Sequence, residues 1–266
     1  MKYLDKINNP KDLKKIPVGE LAEVCGELRK YIIDTINQIG GHLAPTLGTI
    51  ELTTAIHYVF DAPKDKIVWD TGHQAYAHKV LTGRFSEFPT IRKYKGLSGF
   101  LKRSESEYDI FGAGHASTSI SAALGIASAR NLNDDDYKVV SIIGDGALSG
   151  GLAFEALNNA GNVRKQLLVI VNDNDMSISP NLGAFRNYLV KIATNKKYNQ
   201  IRKWVYRSIK RFPSKFFVNI LRKTEASAKK FFFPTTIFED LGFRYFGPID
   251  GHNIEELIDI NTAKLE

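Results

Sequence analysis

The apolar residues of the amino-terminal third recur with a helical period. Across residues 19–39 they are spaced by three and four positions, and Gly40-Gly41 follows as a stop signal, which predicts an amphipathic helix. Two further helical stretches cover residues 49–60 and 75–81. Between them, the short apolar run at 67–69 predicts a buried strand.

The middle of the chain carries two continuous apolar runs, residues 139–143 and 167–171, separated by a helical stretch at 151–160. Another helix, rich in small residues, is predicted at 117–130. Two apolar strands joined through a helix favour a right-handed crossover and a parallel sheet. The predicted fold class is therefore α/β, with a parallel sheet covered by helices on both faces.

The pattern weakens between residues 181 and 233 and returns at 238–246 and in a final helix at 254–266. We therefore predict an α/β domain formed by 1–180 and 234–266, interrupted by a basic, partly helical excursion at 181–233. The chain carries a net charge of +7, whereas residues 191–230 alone carry +12. This basic stretch is interpreted as a solvated, variable insertion, with an anion-binding arm as the alternative.

The composition excludes several classes of protein. A single cysteine, Cys25, rules out an intrachain disulfide framework and a zinc site built from several thiolates. The first residues are polar, and no apolar run approaches the roughly 20 residues that a membrane span needs. Base-stacking modules are not recognisable. These features predict a soluble, cytoplasmic protein that binds neither nucleic acid nor a membrane.

Two polar residues follow the apolar strands: Asp145 lies within Gly-Asp-Gly, and Asn174 ends Asn-Asp-Asn. Because the carboxyl ends of parallel strands meet at one edge of a sheet, we expect these side chains to lie close together. A carboxylate and an amide oxygen suit Mg²⁺, which completes its octahedron with phosphate oxygens and water. Gly-Asp-Gly by itself is more often an ordinary turn. The prediction of a metal site therefore depends largely on Asn-Asp-Asn at the end of the second strand.

Glycines around Asp145 and the helix that follows Gly150 favour a phosphate-bearing ligand, because backbone amides there can approach it closely. The turn continues into neither Gly-Lys-Ser/Thr nor Gly-x-Gly-x-x-Gly. Nucleotide hydrolysis and dinucleotide binding are therefore disfavoured. Ser117 and Ser119 are not coupled to a base in any recognisable motif, which disfavours a serine hydrolase.

Three histidines, His42, His73 and His115, lie in predicted loops beside glycines. An imidazole at such a position suits proton transfer or contact with phosphate, although any one of them alone is more often structural. By contrast, His57 and His78 fall within helical patterns and are interpreted as structural residues. Cys25 lies on the apolar face of a helix, where a buried, unreactive thiol is expected.

Residues 144–174 resemble the thiamine-diphosphate motif, in which Gly-Asp-Gly is followed by a downstream Asn. More specifically, the chain resembles the amino-terminal half of the 1-deoxy-D-xylulose-5-phosphate synthase family. The resemblance covers most of residues 15–180 and again 238–266. The matching stretches are 40–42 with 47–53, 69–76, 114–119, the cofactor motif itself and Gly247-Pro248-Ile249-Asp250-Gly251-His252.

The resemblance assigns roles to individual residues. It implies that Asp145, Asn174 and the main-chain oxygen of Met176 hold Mg²⁺ against the diphosphate of thiamine diphosphate. It implies proton transfer near the reacting centre for His42. The residues implied to contact the cofactor are His73, Gly114, His115, Ala116, Gly146, Ala147 and Asn174. Family members usually carry Ser where this chain has Ala116, so a hydroxyl contact is expected to be missing there.

The activity implied is decarboxylation of pyruvate and transfer of its two-carbon unit to D-glyceraldehyde 3-phosphate. Family members continue with a pyrimidine-binding domain and a third domain beyond the length of this chain of 266 residues. We therefore expect this chain to bind Mg²⁺ and the diphosphate but to be inactive alone, as a fragment or one half of a split enzyme. Its expected partner is a second copy or a complementary carboxy-terminal chain.

Two alternatives stay open from the sequence. The first is the amino-terminal subunit of a split transketolase, which the Gly-His-Ala-Ser-Thr-Ser and Trp-Asp-Thr-Gly-His stretches disfavour. The second is a non-catalytic module that binds the cofactor but has lost the other domains.

Overall fold

The structure is a computed structural model that describes residues 1–173 and 237–263. The predicted metal ligands Asn174 and Met176 and the predicted excursion at 181–233 lie outside the described residues, so they stay predictions. The chain divides into two compact units, one formed by Met1–Ser179 with Asp250–Glu266 and the other by Pro180–Ile249.

A three-stranded parallel sheet lies at the centre of the first unit, as far as the structure describes it. Its strands are β1 (Lys66–Trp69), β2 (Val139–Gly144) and β3 (Leu168–Asn172), in that spatial order. Every residue of the central strand β2 is buried, as expected for a parallel strand that is covered on both faces. The α/β fold class predicted from the apolar runs is confirmed.

The helices of the first unit surround its sheet and follow the predicted order. In the first unit, α6 packs Ala123 and Ala127 against Val68 of β1 and Val139 of β2. Among the described residues no helix is both long and apolar enough to cross a membrane. The helices are α1 (Pro10–Leu13), α2 (Leu21–Ile39), α3 (Ala44–Leu47), α4 (Ile50–Val59), α5 (Tyr76–Lys79), α6 (Ser119–Leu132), α7 (Asp145–Leu148), α8 (Gly151–Val163), α9 (Ile237–Asp240) and α10 (Ile254–Thr262).

Three predicted boundaries are wrong. Gly144-Asp145-Gly146 is not a simple turn, because α7 already begins at Asp145. The helix expected from Ser117 begins at Ser119, since Ser117 adopts a left-handed conformation with φ 58° that a right-handed helix cannot contain. The final helix ends at Thr262 rather than continuing to Glu266.

Cys25 is buried on the inner face of α2, as predicted, with 2% of its surface exposed. Burial raises the pKa of its thiol to about 12, because a thiolate loses its hydration in an apolar environment. A thiol with such a pKa stays protonated and unreactive at neutral pH.

A buried ion cluster lies beside β1 and is formed by His57, His78, Arg84 and Asp109. Nε2 of His57 lies 2.9 Å from Nδ1 of His78, and Nε2 of His78 lies 3.1 Å from Oδ1 of Asp109. Arg84 donates two hydrogen bonds of 2.8 Å to the two oxygens of the same carboxylate. The interpretation of His57 and His78 as structural residues agrees with their complete burial.

These two histidines make folding sensitive to acid. Burial holds the pKa of His57 well below its ordinary value near 6.5, and the positive charges of neighbouring groups lower it further. Burial also lowers the pKa of His78, although its hydrogen bond to Asp109 opposes this shift. Below about pH 6.5 the unfolded chain therefore takes up protons that the folded chain does not bind, so stability falls as the pH falls.

We expect His57→Gln to weaken this acid sensitivity. Removing one buried neutral imidazole should reduce the slope of unfolding free energy against pH by up to about 1.4 kcal/mol per pH unit below pH 6.5. Urea unfolding of both proteins at pH 8.5, 7.5, 6.5 and 5.5 measures that slope, and the two curves should run parallel between pH 8.5 and 7.5. Equal slopes below pH 6.5 would contradict the prediction.

Candidate functional site

The carboxyl ends of the three strands place several predicted site residues at one edge of the sheet. β1 ends at Trp69 and leads into the loop that contains His73, whereas β2 ends at Gly144, directly before Asp145. Gly144 is paired with Asn172 at the end of β3. The chain segments that lead to the two predicted metal ligands Asp145 and Asn174 therefore leave the sheet side by side.

Asp145 is half-buried and occupies the first position of the short helix α7. Gly146 beside it is exposed, and Ala147 is half-buried. Among residues 1–173 and 237–263, no three His, Cys, Asp or Glu side chains converge as a metal site.

The three predicted loop histidines form a stack. The ring centroids of His42 and His73 are 4.3 Å apart, and those of His73 and His115 are 4.6 Å apart. Nδ1 of His73 lies 3.1 Å from Nε2 of His115, at hydrogen-bond distance. Phe100 contacts His115 edge-on, with 5.0 Å between the ring centroids. Residues separated by more than 70 positions in the sequence thus form one cluster.

The environment favours the uncharged forms of His73 and His115. Burial, and to a lesser degree the nearby rings of His115 and His42, lowers the pKa of His73 to about 4, because a second positive charge so close is unfavourable. Burial also lowers the pKa of His115, with a contribution from His42, whereas the negative charge of Asp70 opposes that shift. Neutral imidazoles can donate one hydrogen bond and accept another, which suits hydrogen bonding and proton movement.

Buried threonines behind the stack hold the histidine loops together. The hydroxyl of Thr46 lies at hydrogen-bond distance from the main-chain oxygens of both His42 and His73. Thr49 donates a 2.8 Å hydrogen bond to the main-chain oxygen of Gln74. These contacts fix the positions of the loops that carry His42 and His73 relative to α3 and α4.

The loop of residues 114–117 carries His115 and lies against the loop that follows α7. The hydroxyl of Ser117 donates a 2.7 Å hydrogen bond to the main-chain oxygen of Ala147. A Cβ atom added at Gly150 would lie 2.4 Å from that hydroxyl, so only glycine allows the two loops to approach this closely. The predicted cofactor contacts at 114–116 and at 146–147 therefore belong to a loop and to α7, which are bound to each other.

Open space lies beside the first of these loops. Gly114, His115 and Ala116 are exposed, and a Cβ atom added at Gly114 would meet nothing within 4 Å. Behind Gly144, the buried side-chain oxygen of Gln74 has no hydrogen-bond partner in the described structure. Exposed main chain and a buried unpaired acceptor are features expected of a site that binds a polar ligand.

The sequence analysis missed Asp70, which is buried directly after β1 and accepts hydrogen bonds from the main-chain amides of Ser117 and Ser119. The sequence does show a carboxylate at the end of a strand, Asp70, and hydroxyl residues at the start of a helix, Ser117 and Ser119. They lie too far apart in the chain for spacing to connect them.

A cleft of about 650 Å³ lies elsewhere, along α6. Mainly apolar and small residues line it, among them Phe111, Ala122, Gly125 and Tyr137, and it contains none of the predicted site residues. Polar and charged side chains, namely Lys66, Arg103, Ser106, Glu107 and Asp109, also line this cleft, but the predicted site residues lie at the edge of the sheet instead.

Comparison with known proteins identifies the family. Residues 4–264 match the family model described as 1-deoxy-D-xylulose-5-phosphate synthase. A protein of that name from Carboxydothermus hydrogenoformans is 55% identical over 259 residues, which cover 97% of this chain and 42% of that protein. Proteins of the same name from Alkaliphilus oremlandii and Thermomicrobium roseum are each 52% identical, over 97% of this chain and 42% and 41% of their own lengths.

The chain thus spans about 42% of the length of these relatives, and the match agrees with the resemblance that the motifs indicated. The chain belongs to the 1-deoxy-D-xylulose-5-phosphate synthase family, of which it represents an amino-terminal part.

Proposed function

We propose that this chain supplies the Mg²⁺–diphosphate half of a thiamine-diphosphate-dependent synthase. The complete reaction would decarboxylate pyruvate and transfer its two-carbon unit to D-glyceraldehyde 3-phosphate, forming 1-deoxy-D-xylulose 5-phosphate. The observation that carries the proposal is the hydrogen bond that joins the loop of His115 to α7, the helix that Asp145 begins at the tip of β2, in a chain that belongs to this family.

The donor set fits a magnesium-bound diphosphate. Asp145 would provide a carboxylate oxygen to Mg²⁺, together with Asn174 and the main-chain oxygen of Met176, and phosphate oxygens would complete the octahedron. A single carboxylate suits this role, because the ion must also neutralise an anionic ligand. The exposed main chain at Gly114, and the close approach of two loops that Gly150 permits, support a ligand held by backbone groups.

His73 and His115 would form hydrogen bonds to the cofactor, and His42 would exchange protons. The contact between Nδ1 of His73 and Nε2 of His115 uses one nitrogen of each ring, so the other nitrogen of each ring is available to bind cofactor oxygens. Since burial lowers the pKa of His73 to about 4, it would bind as a neutral imidazole. His42 is exposed at the end of the stack, which suits a group that exchanges protons with substrate.

Thiamine diphosphate, when bound, would supply the electron sink that decarboxylation and two-carbon transfer require. The relatives are more than twice as long as this chain, so we assign the remaining contacts to thiamine and to the two substrates to the part of the protein beyond the match. A homodimer or a complementary carboxy-terminal chain would then complete the site.

Complementation tests the function directly. We expect the purified chain to bind thiamine diphosphate with Mg²⁺ but to form no 1-deoxy-D-xylulose 5-phosphate alone. Adding the carboxy-terminal part of the Carboxydothermus hydrogenoformans relative, which begins where the match ends, should restore synthesis from pyruvate and D-glyceraldehyde 3-phosphate. The carboxy-terminal part alone is the control.

The outcomes separate the alternatives. Cofactor binding by inert mixtures would favour a non-catalytic module, and transfer from a ketose phosphate donor in place of pyruvate would favour a split transketolase. Absence of Mg²⁺-dependent cofactor binding by the chain would contradict the proposal as a whole.

A further inference from the structure

We propose that Asp70 is a positioning residue, which holds the loop 114–117 and its His115 in the shape that the diphosphate site needs. This inference rests on the proposed function, since it names the group that organises the same site. Asp70 has no assigned role in binding the cofactor or the metal.

The carboxylate of Asp70 binds the segment that leads into α6. Only 1% of its surface is exposed. Its Oδ1 accepts a 3.1 Å hydrogen bond from the main-chain nitrogen of Ser117, and its Oδ2 accepts a 2.9 Å hydrogen bond from that of Ser119. A buried carboxylate needs such donors, and two charge-assisted hydrogen bonds to one segment strongly restrict its position.

The loop that Asp70 binds has an unfavourable backbone conformation. His115 and Ser117 both lie in the left-handed region, with φ of 60° and 58°. Residues with side chains persist there only where surrounding contacts hold them. Asp70 holds Ser117 through its main-chain amide, and Ala147 holds it through its side-chain hydroxyl.

This arrangement decides which groups face a ligand. The amides of Ser117 and Ser119, at the start of α6, are engaged by Asp70 and are not available to phosphate. The exposed main chain of residues 114–116 and the ring of His115 remain, and His115 is held at hydrogen-bond distance from His73. Asp70 thus directs the anion to the loop and the histidine pair rather than to the end of the helix.

Asp65 is a matched control, because it directly precedes β1 just as Asp70 directly follows it. Its carboxylate is also buried and also accepts two main-chain hydrogen bonds, from Asp61 and Lys138, each of 2.7 Å. It lies at the amino end of the strand, however, away from the predicted site residues. Asp65→Asn should therefore perturb a buried carboxylate of the same kind without altering the loop 114–117.

The test compares Asp70→Asn with Asp65→Asn in the full chain. We expect Asp70→Asn to weaken Mg²⁺–thiamine diphosphate binding in calorimetry by at least about tenfold, and Asp65→Asn to leave it unchanged. Amide hydrogen exchange at Ser117 and Ser119 should accelerate, and the nuclear Overhauser contact between the His73 and His115 rings should weaken, only in Asp70→Asn. A residue with a merely structural role would lower the unfolding midpoint without these local changes.

Each remaining outcome decides the inference. Native-like binding and exchange in folded Asp70→Asn, or equal losses in both variants, would overturn it. If the wild type binds no cofactor, the proposed function fails, but the exchange and ring contacts still decide the role of Asp70. If Asp70→Asn does not fold, slow exchange at Ser117 and Ser119 in the wild type supports the inference, and exchange as fast as in an open loop overturns it.

Discussion

Replacing Asp145 with alanine is expected to remove Mg²⁺-dependent binding of thiamine diphosphate. Asp145 is the carboxylate that begins α7 at the tip of the central strand, and the other ligands proposed from the protein are neutral oxygens. Changes to groups that only support a metal ligand typically cost 10–100-fold in affinity, so loss of a direct ligand should cost at least about 100-fold. Calorimetric titration of thiamine diphosphate at saturating Mg²⁺ measures this loss.

Asp173→Ala is the matched control for Asp145→Ala. It removes the same charge from the residue that follows the neighbouring strand tip, and Asp173 is exposed. We expect its affinity to stay within about threefold of the wild type, because charges exposed to water act weakly on a ligand. Equal losses in the two variants would indicate a general electrostatic effect, and wild-type affinity in Asp145→Ala would refute the metal assignment.

Replacing Asp109 with alanine is expected to cause the largest loss of stability. Its carboxylate accepts hydrogen bonds from both terminal nitrogens of Arg84 and from one nitrogen of His78. It also accepts a 3.0 Å hydrogen bond from the main-chain amide of Lys102. Burial opposes its ionisation, but the hydrogen bonds from His78 and Arg84 hold the pKa of Asp109 below its ordinary value. Without it, the buried Arg84 keeps only a 3.7 Å contact with Glu105, which already pairs with Lys79. Leaving this charge poorly compensated should cost about 3–5 kcal/mol in the free energy of unfolding.

Urea denaturation of Asp109→Ala, with Asp136→Ala as the control, measures this cost. Asp136 pairs with Lys64 at 2.9 Å, but both side chains are exposed, so its removal should leave stability nearly unchanged. Asp109→Asn should lie between the two, since an amide keeps one acceptor oxygen. Comparable stability of Asp109→Ala and Asp136→Ala would show that the buried ion cluster contributes little.

The spacing of apolar residues along the chain was sufficient to predict much of the fold. The apolar runs predicted all three described strands to within one residue at their starts and ends, because strands buried on both faces need continuous apolar sequence. The parallel order followed from the intervening helix. The turn assigned to Gly-Asp-Gly was wrong, since the same residues also satisfy the start of a short helix, and sequence preference separates these two poorly.

The sequence indicated which histidines to consider for the candidate site, but it did not predict the contacts between them. His42, His73 and His115 were selected because they adjoin glycines in loops, and the structure stacks their rings. The hydrogen bonds of Asp70 connect residues 47 and 49 positions apart. No periodicity relates residues so distant, so their contact depended on the packing of α6 against β1.

The sequence by itself determined the α/β class and the order of its elements, since these follow from local periodicity, and its side-chain chemistry nominated candidates for a metal and a phosphate site. Only the tertiary structure decided that His73 and His115 share a hydrogen bond and that Asp70 occupies the amides at the start of α6. It also decided that His57 and His78 belong to a separate buried cluster with Asp109. The physical reason is that burial and proximity set the charge and hydrogen bonding of each group, and both depend on segments that meet only when the chain folds.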